Sequence, residues 1–362
     1  MSGEGPVRLY RGDPAPWFTV RCTSNEQYHF ESIGGRCVVL CFFGSAAQPL
    51  SAAVLAAFLE RREIFDDERA CFFGVSVDPE DERQQRVRQR LPGFRWFWDF
   101  DLAVSRAYGA LREEGAAPPA YLPQTVALDE RLRVLGAVPF RGEAAAHVEE
   151  VLRMIVAPAE QHAPVLLVPR VFEPGLCRAL IEHYAQHGGS DSGVMRERGG
   201  MTVGVHDHGF KRRRDQTILD EELRGACVAR IHRRLVPEIA RAFAFEATRV
   251  ERHIVACYDA ADGGFFSPHR DNTSPGTAHR RFAVTLNLNA GEYGGGDLRF
   301  PEFGRRTYRA EAGGAVVFSC ALLHEATPIT SGRRFAYLPF LYDDAAAKVR
   351  EANQRFLAGE QA

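Results

Sequence analysis

The 362-residue chain contains no run of eighteen consecutive apolar residues, so no segment has the length and hydropathy of a helix that crosses a bilayer. Its first thirty residues lack a basic stretch followed by an apolar one, the signature of a secretory leader, and the expectation is a soluble, cytoplasmic protein with no membrane partner. One sign of charge does not prevail either. Lys and Arg number 45 against 47 Asp and Glu, a formal net charge of −2, which leaves no field to hold a phosphate backbone and argues against nucleic acid as a partner. The eight cysteines (22, 37, 41, 71, 177, 227, 257 and 320) include no Cys-x-x-Cys pair. That excludes the usual zinc and dithiol motifs and a small disulfide scaffold, so buried thiols in a reducing compartment are expected, with Cys37 and Cys41 placed to share one strand face. No internal repeat is present.

The length calls for two domains. From residue 36 to about 140 the pattern is short apolar run, helix-length segment, short apolar run: "CVVLCFF" and "CFFGVSV" read as strands flanking a helix that carries Leu55, Phe58 and Leu59 on one side. "TVALDERLRVLGAV" reads as two strands about a tight turn at Asp129 and Glu130, and "EAAAHVEEVLRMI" as a closing helix; together these give an α/β domain. Residues 156 to 164, "VAPAEQHAP", read as a linker. Beyond it, "VLLVPRVF" is strand-like, "PGLCRALIEHYAQH" is helical, and Leu223, Cys227, Ile231, Leu235 and Ile239 recur every four residues along a longer helix that Pro237 is expected to bend. From residue 250 come regularly spaced short strands, "RHIVACYD", "RFAVTLNLN", "DLRFPEF", "AVVFSC" and "FAYLPFLYD", a pattern that suggests a β sandwich or jelly roll.

Chemistry concentrates in "SPHRDN", residues 267 to 272. A kinase catalytic loop with this start needs Asn five residues beyond the Asp, and position 276 is Gly; a Gly-rich loop with a following strand Lys, and a downstream D-F-G, are also missing. A metal site makes different demands. Residues i and i+2 of a strand point the same way, so His269 and Asp271 converge while Arg270 turns aside, and a third ligand must come from another strand. On its own His-x-Asp is more often a surface histidine in a turn. What changes the balance is "HEATPITSGRRFAYLPF": His324 completes a 2-His-1-carboxylate set, and Arg334 sits where its guanidinium can take the far carboxylate of a dicarboxylic acid whose near end chelates iron. Among neighbouring signals, "GEYGGGDLR" is read as a turn between strands, "VHDHG" as a loop near the site's mouth, and "FKRRRDQT" as a solvated basic loop in preference to a contact for an anionic substrate.

Residues 250 to 343 resemble the prolyl 4-hydroxylase branch of the Fe(II)- and 2-oxoglutarate-dependent oxygenases: a strand Tyr, His-x-Asp, a glycine pair leading to an apolar strand, then His followed by Pro, Gly and a basic residue. The resemblance implies a double-stranded β-helix (jelly roll) with support helices. It implies His269, Asp271 and His324 as iron ligands, Arg334 and Tyr258 as 2-oxoglutarate contacts, Fe(II), 2-oxoglutarate and O2 as cofactor and cosubstrates, and ascorbate as an auxiliary reductant. Relatives with a Tyr on the "TLNLN" strand have a second contact for the cosubstrate; here Asn287 stands there. Asp271 is present, unlike in halogenating relatives, and position 330 is Thr where nucleic-acid demethylating relatives carry Arg, which leaves hydroxylation of a C–H bond in a protein or peptide side chain or an amino-acid-like small molecule.

Residues 10 to 140 resemble the peroxiredoxin group of the thioredoxin-like fold, through "GDPAPWF", "CVVLCFF" and "FRWFWDFDLAVSRAYGAL". The positions of that group's Pro, Thr, peroxidatic Cys and Arg are occupied by Gly44, Gln48, Ser51 and Gln124. A serine hydroxyl stays protonated where a thiol ionises, so the domain is expected to be catalytically inactive and to serve substrate docking or dimerisation. The expected layout is a peroxiredoxin-like domain over 1–157, an oxygenase domain over 165–345 and a C-terminal helix over 346–362. Two competing readings are a binding or sensor protein that recruits a partner through the first domain, and a peroxide-handling protein that uses a cysteine outside the aligned position.

Overall fold

The computed structural model describes residues 8–112, 120–155 and 160–357. They fall into two units, one built from the chain up to Gln161 together with Pro301–Gly304, the other from His162–Phe300 and from Arg305 onward. Part of the expected linker, residues 156–159, and the end of the expected C-terminal helix, residues 358–362, lie outside the described residues.

The first unit is organised by Cys37–Gly44, which pairs in parallel with Ala70–Ser76; that strand pairs in parallel with Phe94–Trp98, and Gln124–Leu128 and Val134–Pro139 extend the sheet antiparallel. The run "CVVLCFF" is apolar throughout because both faces of its strand are covered. Val38, Leu40 and Phe42 join a core with Phe30, Val104 and Tyr108. Cys37, Val39, Cys41 and Phe43 pack with Val54, Leu55 and Phe58 of the helix Pro49–Glu60 and with Val148 and Val151 of Ala144–Leu152. Cys37 and Cys41 thus share a face, as core residues. The connection after Leu128 is wider than a two-residue turn: Asp129 accepts backbone hydrogen bonds from Arg131 and Arg133. A third parallel strand, Phe94–Trp98, lies in a segment noted only for its family likeness; its alternating aromatics are the strand signal.

In the second unit a large sheet runs in the order Leu166–Val168, Ala315–Ser319, Phe282–Asn287, Arg333–Tyr337, Ile254–Asp259, Arg214–Thr217, Ser190–Asp191. A smaller one runs Lys211–Arg212, Phe265–His269, His324–Ala326, Leu298–Arg299, Thr307–Tyr308. Alternation assigns the faces. Val255, Cys257, Val284, Leu286, Phe335 and Tyr337 pack on the helices, against Leu176, Leu180, Cys227 and Ile231. The intervening residues Tyr258, Thr285 and Arg334 line a cavity with His269 and His324 of the smaller sheet.

The long helix is not simply bent at Pro237. It runs as Glu221–Arg230, a π turn over Ile231–Leu235, and Val236–Phe243 with Pro237 in its first turn. An α-helix repeating every 3.6 residues carries a four-residue repeat steadily off one face; the wider π turn brings it back, so Cys227, Ile231, Leu235 and Ile239 all stay buried. Proline's missing N–H is tolerated in a first turn. The helix at the C-terminal end is Asp344–Asn353, opened by an Asp343 side chain that accepts from the Ala346 amide.

Candidate metal and cosubstrate site

His269 and His324 sit directly opposite each other on adjacent antiparallel strands. Asp271 lies two residues past the first, where its amide donates to the Cys320 carbonyl at 2.9 Å. One ligand atom from each of the three residues falls within 4.8 Å of the others. His269 Nε2 is 3.7 Å from Asp271 Oδ1, and His324 Nε2 is 3.3 Å from Asp271 Oδ2.

Backbone carbonyls fix the tautomers. Nδ1 of His269 donates to the Ser267 carbonyl at 2.8 Å and Nδ1 of His324 to the Leu322 carbonyl at 3.0 Å, which leaves both Nε2 lone pairs facing the shared space. Phe266 stacks on His269, and Phe318 and Phe300 flank His324. Burial, with the neighbouring His324, pushes the His269 imidazole well below its ordinary range and keeps it neutral, while Asp271 opposes the shift. Burial alone would raise the Asp271 carboxyl; the two histidines, with Arg280 and Arg252, outweigh it and hold the group ionised. Two imidazoles presenting Nε2 and one carboxylate are the donor set that suits a ferrous ion with open positions.

Arg334 lies beside Tyr258 across the paired strands, its guanidinium carbon 5.0 Å from the ring centroid. It is 2% exposed, and among the described residues no group accepts from its Nε or Nη1. Buried guanidinium donors without acceptors are costly unless a ligand supplies them, and a carboxylate matches their planar fork. The residues therefore fit both a metal ion and a dicarboxylate. Asn287 is turned to other work: its amide donates to the Ala310 carbonyl at 2.8 Å.

The basic segment 210–217 is not a solvated loop throughout. Arg212 and Arg214 are exposed, but Lys211 and Arg213 are buried, and Arg213 lines the same cavity as the two histidines. Arg213 makes a two-pronged pair with Asp215 at 2.7 and 2.6 Å and reaches the Tyr258 hydroxyl at 3.4 Å. Lys211 donates to Ser192 Oγ and the Gly193 carbonyl, both at 2.7 Å, and burial, with Arg213 close by, lowers its ammonium to about 6. A run of five charged residues reads as surface; only the strand pairings that carry it inward reveal otherwise. Arg252, directly after the strand Arg249–Glu251, carries no signal in the sequence, and it too lines the cavity.

His206 and His208 both approach Asp191, at 3.2 and 2.6 Å, on exposed surface, and do not form a three-residue chelating group. A larger cavity of about 630 Å³ nearby shares Arg213 with the triad's cavity but holds none of the three metal-ligating side chains.

In the first unit, Ser51 stands in the first turn of the helix Pro49–Glu60, where its hydroxyl donates to the Phe43 carbonyl at 2.7 Å, and Gln124 donates to the Tyr108 carbonyl at 2.9 Å. All eight cysteines are buried. Burial pushes the thiols of Cys37, Cys41 and Cys71 up to about 12 and that of Cys257 up to about 11, the opposite of what a peroxide-reducing thiolate needs. Among the described residues no helix is long and apolar enough to cross a membrane.

Comparison with known proteins agrees with both halves of this description. Residues 11–135 match the AhpC/TSA family and residues 253–342 match the 2OG-Fe(II) oxygenase superfamily. A PKHD-type hydroxylase of Azoarcus sp. (strain BH72) is 32% identical over 105 residues, 27% of this chain and 44% of that protein, so the chain spans less than half the length of this curated relative. Among solved structures, peroxidoxin BcpB from Mycobacterium tuberculosis matches at 20% identity and a TM-score of 0.36, covering 41% of this chain and 96% of that one. A Pseudomonas putida prolyl-4-hydroxylase matches at 19% identity and a TM-score of 0.38, covering 49% of this chain and 92% of that one. The chain joins a thioredoxin-like domain of the AhpC/TSA family to a jelly-roll domain of the 2OG-Fe(II) oxygenase superfamily, whose members use Fe(II) and 2-oxoglutarate.

Proposed function

We propose that the C-terminal unit hydroxylates a C–H bond of a protein or peptide side chain, or of an amino-acid-like small molecule. The reaction converts 2-oxoglutarate and O2 to succinate and CO2; one oxygen atom enters the substrate hydroxyl and the other the succinate carboxylate. A ferrous ion held by His269, Asp271 and His324 supplies the oxidising chemistry when bound. The chain's own residues do the rest. The Ser267 and Leu322 carbonyls hold the two imidazoles with Nε2 presented. Arg334 receives the distal carboxylate of 2-oxoglutarate, and Tyr258, steadied by Arg213, forms the wall beside it. Phe266, Leu298 and Phe318 keep the cavity apolar and limit water.

The observation that carries this reading is the coincidence, in one cavity, of a three-residue chelating group and a buried guanidinium with unmet donors. Its test is succinate formation from 2-oxoglutarate with and without Fe(II), ascorbate included as reductant, in wild type and His269→Ala. Iron-dependent turnover lost in the variant is expected. Absence of turnover with every substrate pool would favour the reading in which the chain is a binding or sensor protein.

The first unit is proposed as a docking or dimerisation scaffold, because Ser51 and Gln124 occupy the positions of the thiol and the arginine. Cytoplasmic residence is proposed with it, on the cysteine pattern.

A further inference from the structure

Three arginines line the triad's cavity: Arg213, Arg252 and Arg334. Arg213 is committed to Asp215. Arg334, on the reading above, is committed to 2-oxoglutarate. Among the described residues Arg252 has no carboxylate within ion-pair distance, although its neighbours are paired: Arg280 bonds Glu251 at 2.7 Å, and Glu251 also takes His279 at 2.6 Å.

Arg252 is nevertheless held firmly. Its Nε donates to the Leu338 carbonyl at 3.1 Å, and its guanidinium carbon lies 4.5 Å from the centroid of Phe340, a ring that Arg280 also approaches, at 4.0 Å. Its backbone occupies the left-handed region at φ 65°, a conformation that non-glycine residues adopt at a cost and that clusters at ligand-binding positions. Among the described residues its Nη edge has no hydrogen-bond partner. Burial, with the positive charges of Arg213 and Arg280, lowers this guanidinium to about 10, and the more distant Asp215 and Asp271 only partly oppose the shift.

The charge balance makes the same point. A ferrous ion and the two carboxylates of 2-oxoglutarate cancel, Arg213 is matched by Asp215, and Asp271 offsets only one of the two remaining arginines, Arg252 and Arg334, so the loaded cavity retains one positive charge. Leaving such a charge unpaired in a cavity wall is costly, and a ligand that carries an anion beside the reacting carbon would relieve it.

We propose that Arg252 recognises a carboxylate of the substrate being hydroxylated, so that the substrate is an acid, either a free amino acid or the C-terminal residue of a peptide. This rests on the oxygenase reading but is tested separately from it. The experiment uses the full chain loaded with Zn(II), which does not turn over, and 2-oxoglutarate. Binding is followed by ligand-observed NMR with L-proline, L-lysine and an N-acetylated Ala-Pro dipeptide, each as free acid and as amide. At least one acid is expected to bind tenfold or more tighter than its amide, with that preference lost in Arg252→Gln, partly kept in Arg252→Lys, and 2-oxoglutarate affinity unchanged within about twofold. The free amino acids and the dipeptide separate the two sources of carboxylate. Equal binding of acids and amides, no binding by any acid, an unchanged preference in Arg252→Gln, or a weakened affinity for 2-oxoglutarate in that variant would each overturn the assignment. Failure of wild type to bind 2-oxoglutarate would show up by itself, as failure of the oxygenase reading.

Discussion

Replacing Arg334 with Met should make the ligand-free protein more stable and the ligand-bound protein less so. In the ligand-free protein two guanidinium donors are buried without acceptors, each costing about 1–3 kcal/mol. Methionine keeps much of the packing on Tyr258 and carries no charge. After allowance for lost contacts, a net gain of about 2 kcal/mol is reasonable, which for a unit of this size raises the midpoint of thermal unfolding by roughly 4–8 °C. The same change removes a two-pronged charged contact to 2-oxoglutarate, worth about 3–5 kcal/mol, or more than a hundredfold in affinity. Differential scanning calorimetry with Mn(II), with and without 2-oxoglutarate at about a hundred times its wild-type Kd, reads both effects together. Wild type should gain about 2.7 kcal/mol from the ligand and the variant almost nothing. A ligand-free variant clearly less stable than wild type, or equal protection of both proteins, would show that Arg334 does not wait for a carboxylate.

Other perturbations follow from the same geometry. Glu251 is buried between His279 and Arg280, and although burial alone would raise its carboxyl, these partners lower it from 4.5 to about 2. A carboxyl lowered on folding adds stability above its unfolded value, and loses it as pH falls towards the folded one. Glu251→Gln should therefore cost roughly 3 kcal/mol at pH 7, with the gap closing between about pH 4.5 and 2 in urea titrations; a gap independent of pH would contradict this. Gly296 has φ +67°, and a Cβ there would lie 2.3 Å from Ile329 and 3.2 Å from the Arg334 side chain. Gly296→Ala should weaken 2-oxoglutarate binding by tenfold or more and destabilise by about 1–3 kcal/mol, seen by calorimetry and ligand titration. Ser51→Cys should place a thiol against the Phe43 carbonyl in a nearly solvent-free position. Its alkylation at pH 7 should be slow and its peroxide consumption no greater than that of wild type; rapid peroxide turnover would mean the domain is less disarmed than Gln124 implies.

Much of this architecture is legible in residue order, for identifiable reasons. "CVVLCFF" declares a strand buried on both faces, and His-x-Asp followed by His324 and Arg334 points to a metal beside a carboxylate anchor, because strand alternation fixes which side chains share a side. Illegible features depend on distant partners. Lys211 and Arg213 look like surface charges until Asp215, Ser192 and the paired strand Ile254–Asp259 surround them. Arg252 is an ordinary strand-end cation until Leu338 and Phe340 hold it against the cavity. The π turn at Ile231–Leu235 is implicit in the four-residue repeat, yet that repeat equally suits a gently curved helix.

The face-to-face placement of His269 and His324 has one more implication. Sliding one strand past the other by a single residue would swing one imidazole to the opposite side of the sheet and dismantle the chelate. Metal uptake by a refolding chain thus acts as a proofreader of strand alignment: mispaired molecules have nothing with which to grip the ion, and its presence during refolding should enrich the correctly zipped topology.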